Sequence, residues 1–365
     1  MCKMQTVIGL TLMFVFGTHA QNGRDASGAI QQVLDIFTRM GFNPGGGRAS
    51  SAAGVPLMPY RTQDVQFQSQ GTTVRGKLFT PMSLSAGSRG PAITIIGPVM
   101  YIKEQAPTQY ATRLAQRGFV TLIFDARNFG DSDGEPRQFE TISGKVQDVR
   151  ASIDFLQRQS GVDPNRIGGL GICQGANVMI SAAGQDGRIK AMATVAGNYI
   201  TRKNAERMYG GDPAVLDARL AKADDAKRRF EQTGQVEYGL IVQPTENANR
   251  TDPLLLHRDP WQFYHQWLPH TNWKNQYTIM SESETWRYDV YKTAREVTVP
   301  FLLVYSAGAD GGAPQFANQM FDNLASRDKS KAWLGDAGHI EFYENPIVID
   351  QAVDKLTEFY HRTLN

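Results

Sequence analysis

The sequence predicts an α/β protein with a mostly parallel, doubly wound sheet, an N-terminal antiparallel hairpin and a helical cap insertion. Strand-like apolar runs alternate with helix-like segments over most of the 365 residues. This alternation is typical of parallel sheets covered by helices. With 41% hydrophobic and 20% charged residues, the composition is that of an ordinary globular chain. Ligands of such sheets bind beyond the carboxyl ends of the strands, where we expect the functional residues.

The predicted elements follow one another in a simple order. Residues 64–81 alternate around Gly71-Thr72 and indicate a hairpin of antiparallel strands. Apolar runs predict buried strands at 92–97, 119–125, 167–171, 189–196, 297–305 and 331–334. Helical spacing of apolar residues, or a run of small residues, predicts helices at 108–117, 141–157, 176–183 and 346–363.

The alternation stops at residues 199–296, which we interpret as a helical cap inserted after the sixth strand. Residues 202–236 are charged and helical in pattern, whereas residues 254–291 are rich in aromatic side chains. These aromatics are expected either to pack the cap on the sheet or to line a ligand pocket. The α/β core is therefore predicted at residues 61–198 and 297–365.

The N-terminal segment is predicted to lie outside this core. A positive charge, the apolar run of residues 6–16 and the small residue Ala20 have the order of a cleavable secretory signal over residues 1–20. A polar leader follows at residues 21–60. Because the apolar run is too short to cross a bilayer, we expect a secreted or periplasmic protein without stable membrane insertion. The alternative is an uncleaved anchor. Cleavage would leave Cys173 as the only cysteine, so no internal disulfide could form.

Gly171-Ile172-Cys173-Gln174-Gly175 is the most informative segment of the chain. It lies between a predicted strand and a predicted helix, the order in which a nucleophile stands on a sharp turn. The positive end of the following helix favours the thiolate form of Cys173. The alternative is a buried structural cysteine, which behaves as a small hydrophobe.

A second segment, Gly130-Asp131-Ser132-Asp133-Gly134, matches the commoner pattern with a central serine. It also follows a predicted strand, but Glu135-Pro136-Arg137 comes next and no helix is predicted there. We therefore predict that Ser132 is a loop residue and not the nucleophile.

A thiol nucleophile needs a base and a group that orients the base, and the expected chain order is nucleophile, acid, histidine. His339 is the predicted base because it follows the strand at 331–334 on a loop. Asp310 is the predicted acid because it comes a few residues after the strand at 297–305. Asp336 and Glu341 are competing carboxylates. The histidines less suited to this role are His257, His265, His270 and His361.

An oxyanion hole requires two backbone N–H groups. One is expected from Gln174, directly after the nucleophile. The other should come from the loop that follows the strand at 92–97. Because Pro98 has no N–H, the sequence leaves Val99 or Met100 as the second donor.

With these residues, the chain resembles the dienelactone hydrolase-like branch of the α/β-hydrolase superfamily. Within it, the chain is most similar to hydrolases with a Gly-Ile-Cys-x-Gly elbow, which are grouped with dienelactone hydrolases or X-Pro dipeptidyl peptidases. The resemblance covers about residues 60–363, and its matching segments are 99–105, 124–137, 163–175, 271–273 and 338–339. It implies a triad of Cys173, Asp310 and His339, no cofactor and no metal. The chain departs from the family at Ala176-Asn177 and at Pro98 and Met100, which concern substrate choice more than mechanism.

We therefore expect a hydrolase that cleaves an ester, thioester or lactone of a small-molecule acyl substrate through a covalent acyl-enzyme. One alternative is an acyltransferase that uses the same triad, and another is a non-catalytic binding or thiol-sensing protein on a hydrolase scaffold. Nucleic-acid binding has no electrostatic support, because the net charge is only +2, with 38 basic and 36 acidic residues. The natural substrate and the oligomeric state do not follow from the sequence.

Overall fold

The structure, a computed structural model, describes residues 57–85, 87–256, 258–309 and 313–365. The predicted signal, nearly all of the leader, His257 and Asp310 lie outside the described residues. Within the described ranges, no helix is long and apolar enough to cross a membrane.

Ten strands are present in the described chain. In chain order they are β1 (Tyr60–Ser69), β2 (Thr72–Pro81), β3 (Gly90–Ile96), β4 (Val120–Phe124), β5 (Val162–Ile172), β6 (Ile189–Val195), β7 (Tyr238–Gly239), β8 (Tyr277–Thr278), β9 (Phe301–Tyr305) and β10 (Lys329–Trp333). Eight of them form one sheet in the order β1-β2-β4-β3-β5-β6-β9-β10, while β7 and β8 pair separately. Within this sheet β4, β3, β5, β6, β9 and β10 run parallel to one another. Strand β2 is antiparallel to both of its neighbours, β1 and β4.

Eleven α-helices accompany the strands in the same part of the chain. They are α1 (Ala106–Ala115), α2 (Ile142–Gln157), α3 (Gly175–Gln185), α4 (Arg202–Met208), α5 (Pro213–Thr233), α6 (Arg258–His265), α7 (Glu282–Thr285), α8 (Val290–Ala294), α9 (Pro314–Asn323), α10 (Glu341–Glu344) and α11 (Pro346–Leu364). Helix α1 packs with α11, and α2 packs with α3. Every residue of β3 and β4 is buried, so both faces of the sheet are covered there.

The hairpin and the strands and helices predicted for the sheet are confirmed, with ends shifted by a few residues. The clearest difference is β5, which begins at Val162 instead of at the predicted residue 167, so residues 162–166 also belong to the strand. A register shift between Gly90 and Ala92 of β3 accommodates those residues. Strand β9 begins at Phe301, later than predicted, because Pro300 has no N–H to donate to a neighbouring strand.

Between β6 and β9 the regular structure is mostly helical and includes α4 to α8 with the short β7–β8 pair. That this segment is a separate cap stays a prediction. The segment contacts the core at a charge cluster built on the buried side chains of Lys103 and Asp125. Lys103 forms ion pairs with Asp125 at 2.7 Å and with Asp131 at 2.6 Å. Asn272, between α6 and β8, donates to Asp131 Oδ1 at 2.6 Å. Three of the segments that carried the family resemblance therefore meet at one cluster.

Candidate active site

The backbone turn at Cys173 places the thiol at the carboxyl end of β5. Cys173 has φ +55°, a left-handed conformation that is rare for a residue with a side chain. A Cβ on Gly171 would lie 2.5 Å from Gly175 O, and one on Gly175 would lie 2.5 Å from Gly97 O. Only glycine fits at these two positions, so the strand and helix α3 approach closely and hold the turn.

Hydrogen bonds fix the same turn from the neighbouring strand. Cys173 N donates to Val195 O at 3.1 Å, at the end of β6, and Cys173 O accepts from Asn198 N at 3.2 Å. Helix α3 begins two residues after Cys173, so its amino end faces the sulfur. The side chain is only 6% exposed, yet it lines a cavity. The thiol is therefore shielded from bulk solvent but accessible to a ligand in the cavity.

His339 lies on the loop between β10 and α10, as the sequence predicted, and it contacts the thiol. Its Nδ1 forms a hydrogen bond with Ala309 O. A bridge between Gly308 and Gly338 joins the two loops. Asp310 itself lies outside the described residues, but the residue before it contacts the ring nitrogen that an orienting acid would use.

The other titratable candidates have different surroundings. The Glu341 carboxylate accepts from Gly338 N at 2.7 Å, and Asp336 is exposed. His265 is exposed and stacks on Trp261, whereas His361 lies against Phe119. Among the described histidines, only His339 is near Cys173.

The environment of Cys173 favours its thiolate. Burial of the sulfur raises the thiol pKa, but several groups together outweigh it. These are the positive charge of His339, hydrogen bonds from the side chains of His339 and Tyr343, and one from the Gln174 N–H. The net effect is a pKa below the usual value of a cysteine thiol.

Tyr343 was not identified from the sequence. Its hydroxyl lies 2.6 Å from His339 Nε2 and also forms a hydrogen bond with Cys173. It comes four residues after His339 in the chain, and its position on α10 places its side chain at the site. A tyrosine four residues after a histidine has no recognisable pattern, so the only available signal was its position in a predicted loop beside the base.

The loop after β3 is held from two sides. Toward the cap, Tyr264 OH donates to Val99 O at 2.8 Å and Trp273 Nε1 donates to Met100 O at 2.9 Å. Toward the core, Met100 N donates to Glu140 Oε2 at 2.9 Å, and Met100 has φ +52°. Of the two predicted second donors, Met100 therefore has its N–H engaged, whereas the Val99 N–H has no hydrogen-bond partner among the described residues.

Glu140 and Lys145 form a buried ion pair behind this loop. Their side chains are 1% and 2% exposed. Lys145 Nζ also lies 3.3 Å from Pro98 O and 3.3 Å from Gln174 Oε1. One ion pair thus contacts the loop after β3 and the side chain of Gln174, the two places where the oxyanion hole was predicted.

The cavity at Cys173 has a volume of about 510 Å³. Its walls include Val99, Gln174, His339 and Tyr343 together with apolar side chains of the cap segment. Of the aromatic residues of that segment, Tyr264 and Trp286 line the cavity, while Trp273 is buried against the loop after β3. Some aromatic residues of this segment therefore line the cavity, and others pack the segment against the core, so both of the expected roles occur.

Ser132 is a loop residue, as predicted. Its hydroxyl donates to Asp125 O at 2.7 Å and accepts from Arg75 N at 2.8 Å, and the side chain is buried. Both hydrogen-bonding directions of the hydroxyl are therefore occupied by backbone groups, and Ser132 does not line the cavity that contains Cys173.

The chain is similar to known proteins over most of its length. The X-Pro dipeptidyl-peptidase (S15 family) profile matches residues 59–341. The uncharacterised protein YcjY of Escherichia coli K12 is 30% identical over 295 residues, which cover 79% of this chain and 93% of that protein. The polyketide transferase ATR5 of Stachybotrys chlorohalonatus is 34% identical over 305 residues, which cover 83% of this chain and 97% of that protein.

The fold has solved counterparts. The crystal structure of the hypothetical protein PA2218 from Pseudomonas aeruginosa aligns with a TM-score of 0.72 at 23% identity, covering 88% of this chain and 99% of that one. The mostly parallel sheet with antiparallel N-terminal strands is that of the α/β-hydrolase fold, which such structural neighbours share.

The buried ion pair can be tested through stability. Lys145→Met keeps most of the side-chain volume but leaves the Glu140 carboxylate buried without its cation. We expect the free energy of unfolding to fall by about 3–5 kcal/mol in urea denaturation. Adding Glu140→Gln removes the uncompensated charge and should recover most of that loss.

The matched control is Lys355→Met, which breaks an exposed pair with Glu358. It should change the free energy of unfolding by no more than about 1 kcal/mol. An equally small effect of Lys145→Met would show that the buried pair is not a structural requirement.

Proposed function

The chain belongs to the X-Pro dipeptidyl-peptidase (S15) family, and on that premise we propose that it cleaves an ester, thioester or lactone through Cys173 and a covalent acyl-enzyme. The observation that supports this most directly is the position of Cys173. Its thiol stands at the apex of a left-handed turn, borders a cavity and contacts His339. A structural cysteine needs none of these features.

The proposed reaction begins with transfer of the Cys173 proton to His339 Nε2, which gives a thiolate and an imidazolium. The thiolate attacks the substrate carbonyl, and the N–H groups of Gln174 and Val99 stabilise the resulting oxyanion. His339 then gives the proton to the leaving group as the tetrahedral intermediate collapses to a thioester.

Hydrolysis repeats these steps with water. Neutral His339 removes a proton from the attacking water, and the second intermediate collapses with departure of the Cys173 thiolate. Asp310 is the proposed orienting acid, because it follows Ala309, whose carbonyl oxygen contacts His339 Nδ1. Removal of one oxyanion donor costs about 10²–10³ in turnover in a comparable site.

The thiol is a departure from the family, whose peptidases use a serine nucleophile. A thiolate leaves a tetrahedral intermediate more readily than an amine does, which favours oxygen and sulfur esters over amides as substrates. The cavity wall is mostly apolar, which suits an acyl group, but Arg207 and Asp259 also line it. A volume of about 510 Å³ accommodates a group of moderate size.

Acyl transfer is the second candidate, and the similarity to a polyketide transferase favours it. Its first half would be identical, and an alcohol or amine would then replace water as the attacking group. Product analysis in the presence of added alcohols and amines distinguishes the two reactions, because only a transferase gives the new ester or amide as its main product.

Turnover of a substrate panel tests the nucleophile. The full chain is assayed with p-nitrophenyl esters, acyl thioesters and an X-Pro p-nitroanilide, together with its Cys173→Ala and Ser132→Ala variants. We expect hydrolysis of esters and thioesters, little cleavage of the anilide, and a loss of at least about 10³-fold in Cys173→Ala.

Ser132→Ala is the matched control, because it removes the hydroxyl of the rival motif away from the cavity. It should retain turnover if its fold is shown to be intact by circular dichroism. Retained turnover in Cys173→Ala would refute the proposal, and a fully inactive wild type would favour a binding or thiol-sensing role.

The lowered thiol pKa predicts a pH dependence of alkylation. The thiolate fraction rises as the pH passes the pKa, so a lowered pKa moves the half-maximal rate of iodoacetamide labelling below the pH of about 8.5 that is typical of a free cysteine. His339→Ala removes a positive charge and a hydrogen bond, and it should move the midpoint to higher pH.

Peptide mapping assigns the label to Cys173, since Cys2 is also present in the full chain. His265→Ala is the control histidine variant, because His265 is exposed and stacks on Trp261. A midpoint at or above that of free cysteine in the wild type would contradict an activated thiol.

A further inference from the structure

A phenol hydroxyl stands at the junction of the two groups that exchange the proton. Tyr343 OH lies 2.6 Å from His339 Nε2 and is also hydrogen-bonded to the Cys173 side chain. The Tyr343 side chain is 3% exposed and lines the same cavity. Its hydroxyl therefore contacts both the sulfur that attacks and the nitrogen that receives the proton.

Packing holds this hydroxyl in place. The Tyr343 ring lies edge-on to Phe263 at 5.1 Å between ring centres, and edge-on to His339 at the same separation. Its backbone N–H donates to Ile340 O at 2.8 Å, and Tyr110 OH anchors the preceding residue at Phe342 O. A phenylalanine would fill the same space, so packing alone gives no reason for a hydroxyl there.

We propose that Tyr343 is a catalytic residue of the proposed hydrolase, whose hydroxyl bridges Cys173 Sγ and His339 Nε2 and stabilises the thiolate–imidazolium pair. This inference rests on the proposed function, because it requires Cys173 to be the nucleophile. In the pair, the proton of the thiol has moved to Nε2. The phenol keeps its own proton, donates that O–H to the thiolate and accepts the N–H of the imidazolium.

The phenol is suited to this role because it stays protonated. Burial of Tyr343 raises its pKa well above the usual range, and the negative charge of the Cys173 thiolate raises it further. A buried hydroxyl that does not ionise is a permanent donor to the sulfur. Donors to a charged acceptor form the stronger class of hydrogen bonds, so its removal should weaken the thiolate measurably.

The test is the titration of the Cys173 thiolate, followed by its absorbance near 240 nm. The absorbance of a matching Cys173→Ala protein is subtracted, which also cancels Cys2. In Tyr343→Phe we expect the equilibrium between thiol and thiolate to shift toward the thiol by about tenfold or more. The acid limb of the pH profile of kcat/KM should move to higher pH by the corresponding amount, about one pH unit or more.

A control variant and a protein with a modified Tyr343 distinguish a direct effect of the hydroxyl from a general effect on folding. Tyr360→Phe is the matched control, because it deletes a buried phenol that donates to Gly169 O at 2.6 Å, far from the sulfur along β5. Its thiolate titration should coincide with that of the wild type. In a second protein, 3-fluorotyrosine replaces Tyr343 and keeps the shape with a more acidic O–H. It should shift the thiolate equilibrium in the direction opposite to Tyr343→Phe, even if the phenylalanine variant folds poorly.

The result that overturns this inference is a Tyr343→Phe protein, or a fluorinated protein, whose thiolate titration and pH profile match those of the wild type. That outcome differs from failure of the proposed function, which is recognised by turnover that survives Cys173→Ala. An inactive Cys173→Ala variant with an unshifted Tyr343→Phe titration would leave the nucleophile assigned and Tyr343 as a packing residue only.

Discussion

The backbone turn at Cys173 is the constraint on which the rest of the site depends. A residue with φ +55° must stand between β5 and α3, and two glycines remove the Cβ atoms that would collide with backbone oxygens 2.5 Å away. The parallel strands on either side, β3 buried throughout and β6 buried except at Lys190, give this turn a rigid base. Strain of this kind persists only where the surrounding structure enforces it. The same turn directs the Gln174 N–H at the sulfur and points the amino end of α3 toward it.

The loop after β3 faces this turn and is held by contacts from both sides. Cap side chains bind the carbonyls of Val99 and Met100, while Glu140 binds the Met100 N–H. With Met100 occupied, Val99 is the proposed second oxyanion donor. Lys145 contacts both the Pro98 carbonyl of this loop and the Gln174 side chain, so a buried ion pair lies behind both proposed donor residues. Preorganised donors of this kind need no rearrangement as charge develops on a substrate oxygen.

The sequence was most informative where a local pattern has a structural cause. Alternation of strands and helices predicted the sheet, and the spacing of Gly171, Cys173 and Gly175 predicted the elbow, because both depend on neighbouring residues. The placement of His339 beside Cys173 followed from chain order. The α/β-hydrolase resemblance is confirmed at the level of the fold, whereas the family match is to X-Pro dipeptidyl-peptidases, and the dienelactone hydrolase-like branch stays a prediction. The secretory signal at residues 1–20 and the role of Asp310 also stay predictions.

Other features could not be read from the sequence, because they depend on contacts between distant segments. Glu140 lies forty residues after Met100, and no pattern connects them before the chain folds. The choice between Val99 and Met100 required the direction of one N–H group. Tyr343 lies on the single helical turn of α10, which places its hydroxyl beside His339.

The most direct measurement is the mass of the protein when it is quenched during turnover of a slowly hydrolysed thioester or ester. If Cys173 is the nucleophile, the mass rises by that of the acyl group, the added mass maps to the peptide that contains Cys173, and it is absent from Cys173→Ala. Turnover without an adduct, or with the adduct on the peptide that contains Ser132, would contradict a thiol mechanism.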